Sequence, residues 1–213
     1  MHRVFCAPFR YVQGDGITRR LADEMAILGI TGPVLVVGGR SAVAALAPAW
    51  AEAMAAAGWQ HRVRVFGGEC SAAEIDALAT EARSLGGRVV VGAGGGKCLD
   101  AARAAAVAAG LPFVSCPTVA STDAPTSALS VVYTTAGTVE SYRIHGRNPE
   151  LVLVDSGVIV RAPVRYLVAG MGDALSTWYE ARAAAAAHRP NMRGGAVTEA
   201  ALALARLCRD TVL

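Results

Sequence analysis

With 213 residues, 54% of them apolar, and a formal net charge of +3, the chain can bury a sizeable core in one large domain or one and a half ordinary ones. Its arginines are scattered and no basic block alternates with aromatics, which argues against a nucleic-acid partner. The five cysteines (Cys6, Cys70, Cys98, Cys116, Cys208) are odd in number, far apart and form no C-x-x-C pair, which argues against structural zinc and a disulfide framework.

The first residues hold too few apolar side chains around Arg3 and Arg10 for a secretory signal. The apolar run through 101–120 is broken by Arg103, Gly110, Pro112 and Pro117 and does not read as a membrane span. A soluble, cytoplasmic protein with no membrane partner is expected.

From about residue 30 the chain alternates strand-like and helix-like segments. Val34–Val37 is a short apolar strand ending in Gly38-Gly39, and an alanine-rich helix fills about 41–57, stopping at Gly58. Arg62–Phe66 reads as the next strand. Ser71-Ala-Ala-Glu74 has the form of a capping box and opens a helix that ends near Gly86-Gly87. A strand over 88–91, a helix to about 109 and a strand over 113–116 follow. This rhythm predicts an α/β fold: a Rossmann-like, mostly parallel sheet with helices on both faces. Two strands, 130–134 and 140–145, then flank a hairpin turn at Thr135-Ala136-Gly137, and Leu151–Val154 is a further strand ending at Asp155. From about Val164 the pattern is helical, with a break around Arg189-Pro190 and Gly194-Gly195 and an amphipathic last helix over about 196–212. A domain boundary is expected near residue 160, with an α/β domain over 1–160 and the beginning of an all-helical domain over 161–213.

The most informative stretch is Val89-Val-Val-Gly-Ala-Gly-Gly-Gly-Lys97-Cys-Leu-Asp100. A β-branched run enters a glycine cluster and a helix starts at once. Helix N-termini carry unpaired N–H groups and partial positive charge, which attract phosphate, and glycine admits a close approach. An ordinary βα turn is the plain alternative. Two familiar phosphate loops fail by counting. A P-loop would need glycine at Val91 and Ser or Thr at Cys98, and the G-x-G-x-x-G fingerprint meets Lys97 at its third glycine.

Downstream lie Pro117-Thr-Val-Ala-Ser-Thr-Asp-Ala-Pro125, Ser127-Ala-Leu-Ser-Val-Val-Tyr133, Gly170-Met-Gly-Asp-Ala-Leu175 and Trp178-Tyr-Glu-Ala181. Together with the glycine stretch and Asp100, these segments resemble the glycerol dehydrogenase family of metal-dependent, iron-type alcohol dehydrogenases. The resemblance runs from Tyr11-Val-Gln-Gly14 to the final helix. The superfamily also holds dehydroquinate synthase, but Ser121-Thr122-Asp123 fits the polyol branch.

The resemblance implies a dinucleotide-binding α/β domain and metal-assisted transfer of hydride from a polyol, such as glycerol, to NAD or NADP. It implies that Gly94, Gly95, Gly96 and Lys97 hold the pyrophosphate and that Thr118 and Ser121 line the adenosine and ribose side. Ser127, Leu129 and Tyr133 would border the nicotinamide, Asp123 would bond a substrate hydroxyl, and Asp173 would be the first of three ligands to a divalent metal, zinc or iron. Without the family, Thr118 and Asp123 read equally as turn residues, Tyr133 as core, and Asp173 as the N-cap of a helix opening out of Gly170-Met171-Gly172.

Two departures stand out. Relatives that use NAD carry an aspartate after the strand at 34–37, where this chain has Gly39-Arg40-Ser41, so repulsion of a 2′-phosphate is removed and a cation added. The family's two histidine ligands also have no counterpart among His2, His61, His145 and His188. The chain therefore reads as the N-terminal part of such an enzyme, with an incomplete metal site, an unsupported apolar helix face and a homo-oligomeric assembly to cover it. A non-catalytic dinucleotide-binding fragment and a dehydroquinate synthase-like lyase are the alternatives.

Overall fold

The computed structural model describes residues 2–213 and divides into two compact units. The larger comprises Pro8–Val119 and Ala124–Ala162; the smaller comprises the residues up to Ala7, Ala120–Asp123 and Pro163–Leu213.

The larger unit is built on six parallel strands: β1 (Arg10–Gly14), β2 (Val34–Gly38), β3 (His61–Val65), β4 (Val89–Gly94), β5 (Phe113–Pro117) and β8 (Leu151–Asp155). They lie in the order β1-β8-β5-β4-β2-β3. Strands β6 (Leu129–Tyr133) and β7 (Val139–Ile144) form a separate antiparallel hairpin whose turn places Gly137 at φ 81°. The helices are α1 (Leu21–Ile27), α2 (Arg40–Ala56), α3 (Ala72–Ser84), α4 (Gly96–Ala109) and the short α5 (Ser156–Ile159).

Strand periodicity explains the layers. Successive residues of β2 point to opposite faces. Val34 and Val36 pack with Leu21, Met25, Trp50 and Met54 of α1 and α2, while Leu35 and Val37 pack with Ile75, Leu78, Ala102 and Ala105 of α3 and α4. Both faces are covered, so the central strands need apolar residues throughout, and every residue of β2, β4 and β5 is buried. The predicted fold class is found.

Strand β1 and helix α1 lie before the predicted start of the alternation. Edge strand β1 has alternating exposure rather than an apolar run, and so carries little sequence signal. The predicted capping box is half formed. Ser71 accepts from the Glu74 N–H at 3.3 Å, but the Glu74 carboxylate turns to the Gly67 N–H at 2.9 Å instead of closing the box.

The smaller unit pairs α6 (Val164–Ala186) with α7 (Glu199–Val212). Thr198 caps α7 by accepting from the Ala201 N–H at 3.1 Å, and Trp178 lies under the guanidinium groups of Arg206 and Arg209. The Gly170-Met171-Gly172 segment is not a turn: it lies inside α6, so Asp173 is a mid-helix residue rather than an N-cap. Tertiary packing overrides the weak helix propensity of glycine here.

Candidate functional site

Sheet order locates the first cluster. The chain passes from β2 outward to β3 and then returns to the other side of β2 as β4, so the order reverses between β2 and β4. Helices α2 and α4 leave these two strands on opposite faces, which opens a crevice at their carboxyl ends. Both strands end there in glycine. The Gly39 N–H donates to the Ala93 carbonyl at 3.0 Å, and a Cβ on Gly94 would lie 3.5 Å from the Gly39 nitrogen. A Cβ on Gly94 would also meet the Cys98 side chain at 2.8 Å, and one on Gly92 would meet Ala102 at 2.9 Å. These glycines let α4 close onto β4.

The turn is shorter than the sequence predicts. Gly92–Gly94 belong to β4, Gly95 is the N-cap, and Gly96 is the first residue of α4. No side chain caps this helix, and its first turn carries no acidic residue. A Cβ on Gly96 would find no heavy atom within 4 Å. The result is an uncapped helix end that is open at Gly96, which suits an anion held by main-chain N–H groups.

Lys97 is directed elsewhere. Its Nζ sits 2.7 Å from Glu69 Oε2 and 4.4 Å from the centre of the Tyr133 ring. The hydrogen bond to Glu69 raises the lysine pKa further above its ordinary value. Glu69 is itself fixed by the Cys70 N–H at 3.0 Å, and the Tyr133 N–H reaches the Cys70 carbonyl at 2.8 Å. Lys97 and Tyr133, predicted on the pyrophosphate and nicotinamide sides, are thus in contact. Thr118, just after β5, joins the glycine turn by donating its N–H to the Gly94 carbonyl at 3.1 Å.

Ser127 and Leu129 lie on the turn before β6 and on its first residue. Ser127 Oγ donates to the Ala124 carbonyl at 3.0 Å, which leaves its lone pairs as acceptors. Beneath this turn is a buried ion pair absent from the predicted set: Arg103 Nη1 to Asp100 Oδ1 at 2.6 Å. Burial pushes the Asp100 carboxyl up, opposed by the Val131 N–H and by Arg103. Two charges three positions apart on an otherwise alanine-rich helix were the available signal.

Cys98, which stands where a P-loop would need Ser or Thr, is buried and inert. Its Sγ lies 3.7 Å from the carbonyls of Val37 and Ala93, and burial pushes the thiol pKa up to about 12.

In the smaller unit, Ser121 and Asp123 lie on the Ala120–Asp123 segment, and Asp173 meets it: the Asp123 N–H donates to Asp173 Oδ2 at 2.9 Å. The Asp123 carboxyl is raised by desolvation and then by the Asp173 charge. Two carboxylates are thus brought together. Among the described residues no group of three or more His, Cys, Asp or Glu could hold a metal ion. His145 is buried against Ser130 Oγ at 2.9 Å, and His188 is exposed. The donor set is therefore Asp173 with Asp123 beside it, which is short of a three-ligand site.

Comparison with known proteins agrees with the fold. The chain is 57% identical over 148 residues to glycerol dehydrogenase of Citrobacter freundii, covering 70% of this chain and 40% of that protein. It is 43% identical over 213 residues to glycerol dehydrogenase of Pseudomonas putida, covering 100% of this chain and 58% of that protein. Its fold superposes on a probable glycerol dehydrogenase from Sinorhizobium meliloti with a TM-score of 0.90 at 40% identity, covering 99% of this chain and 57% of that one. The chain spans about half the length of the curated relatives it matches. Residues 8–156 match the family described as iron-containing alcohol dehydrogenase, and to that family the chain belongs.

Proposed function

We propose that this chain provides the dinucleotide-binding part of a glycerol dehydrogenase-like oxidoreductase, acting on a secondary hydroxyl of a small polyol such as glycerol, with dihydroxyacetone as product. One observation carries the reading: the uncapped, acid-free start of α4 at the strand-order reversal between β2 and β4. Bound NAD or NADP supplies the hydride acceptor. In this reading the main-chain N–H groups at Gly95, Gly96 and Lys97, with Gly94, hold the pyrophosphate, while the Lys97 side chain stays on Glu69. Thr118 and Ser121 line the adenosine and ribose side. Ser127, Leu129 and Tyr133 border the nicotinamide, and Asp123 accepts a hydrogen bond from a substrate hydroxyl. In this reading the larger unit, Pro8–Val119 with Ala124–Ala162, is the dinucleotide-binding domain expected over 1–160, and the segment expected over 161–213 is helical. A divalent metal, zinc or iron, belongs to the same reading with Asp173 as a ligand. The described residues do not complete a site for it, so no step is derived through the metal. A cytoplasmic location and a homo-oligomeric state belong to the same reading.

The test is Gly96→Asp. The position is open, and a carboxylate at a helix N-terminus is favourable, so stability should hold or rise by a few tenths of a kcal/mol. The same charge repels pyrophosphate, so NADH affinity should fall roughly tenfold or more in a fluorescence titration. Unchanged affinity would refute the site.

The reading extends to cofactor choice. Gly39 is the uncapped N-cap of α2, its Cβ position is open, and Arg40 follows with no acidic residue in the first turn. We infer relaxed or NADP-leaning specificity. Gly39→Asp should shift the NADPH-to-NADH affinity ratio toward NADH by about tenfold, because a carboxylate bonds ribose hydroxyls and repels a 2′-phosphate. A ratio that does not move would defeat this assignment.

A further inference from the structure

The turn over residues 124–128 has few sheet hydrogen bonds of its own, and its shape is set by side chains that seize its carbonyls. Arg103 Nη2 donates to the Ala124 carbonyl at 2.7 Å, Arg103 Nη1 donates to the Leu129 carbonyl, and Asn148 Nδ2 donates to the Thr126 carbonyl at 2.8 Å. The Ala124 carbonyl also receives the Ser127 N–H at 3.2 Å and Ser127 Oγ at 3.0 Å. The turn that presents Ser127 and Leu129 is therefore pinned at three points.

Arg103 is held as firmly as the turn it holds. The residue is 1% exposed, its guanidinium lies 5.3 Å from the Phe113 ring centre, and Asp100 Oδ1 pairs with it. The other oxygen of Asp100 accepts the Val131 N–H at 3.0 Å, and the Asp100 carbonyl accepts Ser130 Oγ at 2.8 Å. Desolvating a guanidinium is costly, and an apolar side chain would fill the same space more cheaply. What an apolar residue cannot do is direct a rigid fork of donors at two carbonyls.

Arg103 also stands on α4, seven positions past Gly96, roughly 10 Å along the helix axis. One rigid helix thus carries the phosphate-facing end and the pin of the turn. We propose that Arg103 is a positioning residue for the nicotinamide side of the dinucleotide site, fixing the Ser127–Leu129 turn at a set distance from the start of α4, with Asn148 as a second pin. This rests on the dinucleotide reading above. Arg103 acts through the turn, and the α4 N-terminus does not depend on it.

The experiment separates the two halves of the ligand. Dissociation constants for ADP and for NADH and NADPH are measured by calorimetry on the full chain, for wild type, Arg103→Met, Arg103→Lys and Asn148→Ala, with circular dichroism as the folding check. NADH and NADPH affinity should fall about tenfold in Arg103→Met and about threefold in Asn148→Ala, while ADP affinity stays within about twofold. Arg103→Lys should recover part of the loss, since an ammonium can keep Asp100 paired and reach one carbonyl. Arg103→Met leaves Asp100 buried without its partner, so if that variant does not fold, Asn148→Ala and Arg103→Lys decide. Equal losses for ADP and NADH in a folded variant, or no loss of NADH in Asn148→Ala and Arg103→Met, overturn the positioning role. Failure of the wild type to bind ADP or dinucleotide overturns the dinucleotide reading itself, and with it this proposal.

Discussion

Replacing Asp155 with alanine is expected to lower the free energy of unfolding by about 3 kcal/mol. The carboxylate closes β8 and gathers five donors. Oδ1 accepts from the N–H groups of Gly16, Gly157 and Val158 at 3.1, 3.1 and 3.3 Å, and Oδ2 accepts from Thr18 N–H at 3.0 Å and Thr18 Oγ1 at 2.6 Å. It thereby caps α5 and ties the chain after β1 to the end of the neighbouring β8. Hydrogen bonds to an ionised group contribute about 1.5–3 kcal/mol each at most, and water recovers part of those lost, so the sum is well below additive. Asp155→Asn keeps one acceptor oxygen but turns an NH2 group toward donors, and should lose about half as much.

The pH dependence has a definite sign. Burial alone would raise the Asp155 carboxyl, but the Thr18, Gly16 and Val158 donors outweigh it and hold the folded value below the ordinary 3.8. The contribution is therefore complete above the unfolded-state value and is lost as pH falls through the depressed folded one. Urea unfolding at pH 7 and across the acid range below about 4 should show a wild-type loss that Asp155→Ala largely lacks. Equal acid slopes in the two proteins would contradict this assignment.

The larger unit's layers were legible because period and punctuation agreed: apolar runs at Val34–Val37 and Val89–Val91, alanine-rich helices between them, and glycines at the joins. Strand β1 was not, because Arg10, Val12 and Gly14 alternate with exposed neighbours at a sheet edge. The uncapped start of α4 was legible from its glycines, but the fate of Lys97 was not. Its partner Glu69 lies 28 positions away and meets it only after α3 and β4 have folded. Asp100 and Arg103 could be noticed as charges on an apolar helix, yet the carbonyls that Arg103 serves and the N–H that Asp100 accepts lie over twenty residues on. The helix start expected at Asp173 is absent for a related reason. Local composition reads Gly-x-Gly as a turn, whereas the contact that explains Gly170 is tertiary.

That contact makes Gly170→Ala the sharpest test of the smaller unit. By propensity alone, alanine inside α6 should stabilise the helix by about 1 kcal/mol. The structure reverses the expectation: a Cβ at Gly170 would lie 2.1 Å from the Ala120 carbonyl oxygen and 3.5 Å from Ser121 Cα. The obstructing atom is main chain, so no rotamer relieves it, and either α6 bends or the Ala120–Asp123 segment retreats by about an ångström or more. Overpacking of this kind costs about 1–3 kcal/mol or more, so a net loss near 2 kcal/mol is expected. The retreat also breaks the Asp123 N–H bond to Asp173 Oδ2, now 2.9 Å long. Hydrogen exchange at the Asp123 amide should then quicken at least several-fold. Gly172→Ala is the internal control, two positions along the same helix with nothing within 4 Å of its Cβ position. It should raise Tm, while Gly170→Ala lowers it. If both alanines stabilise the protein, α6 does not hold the Ala120–Asp123 segment by close approach, and the pairing of Asp123 with Asp173 needs another cause.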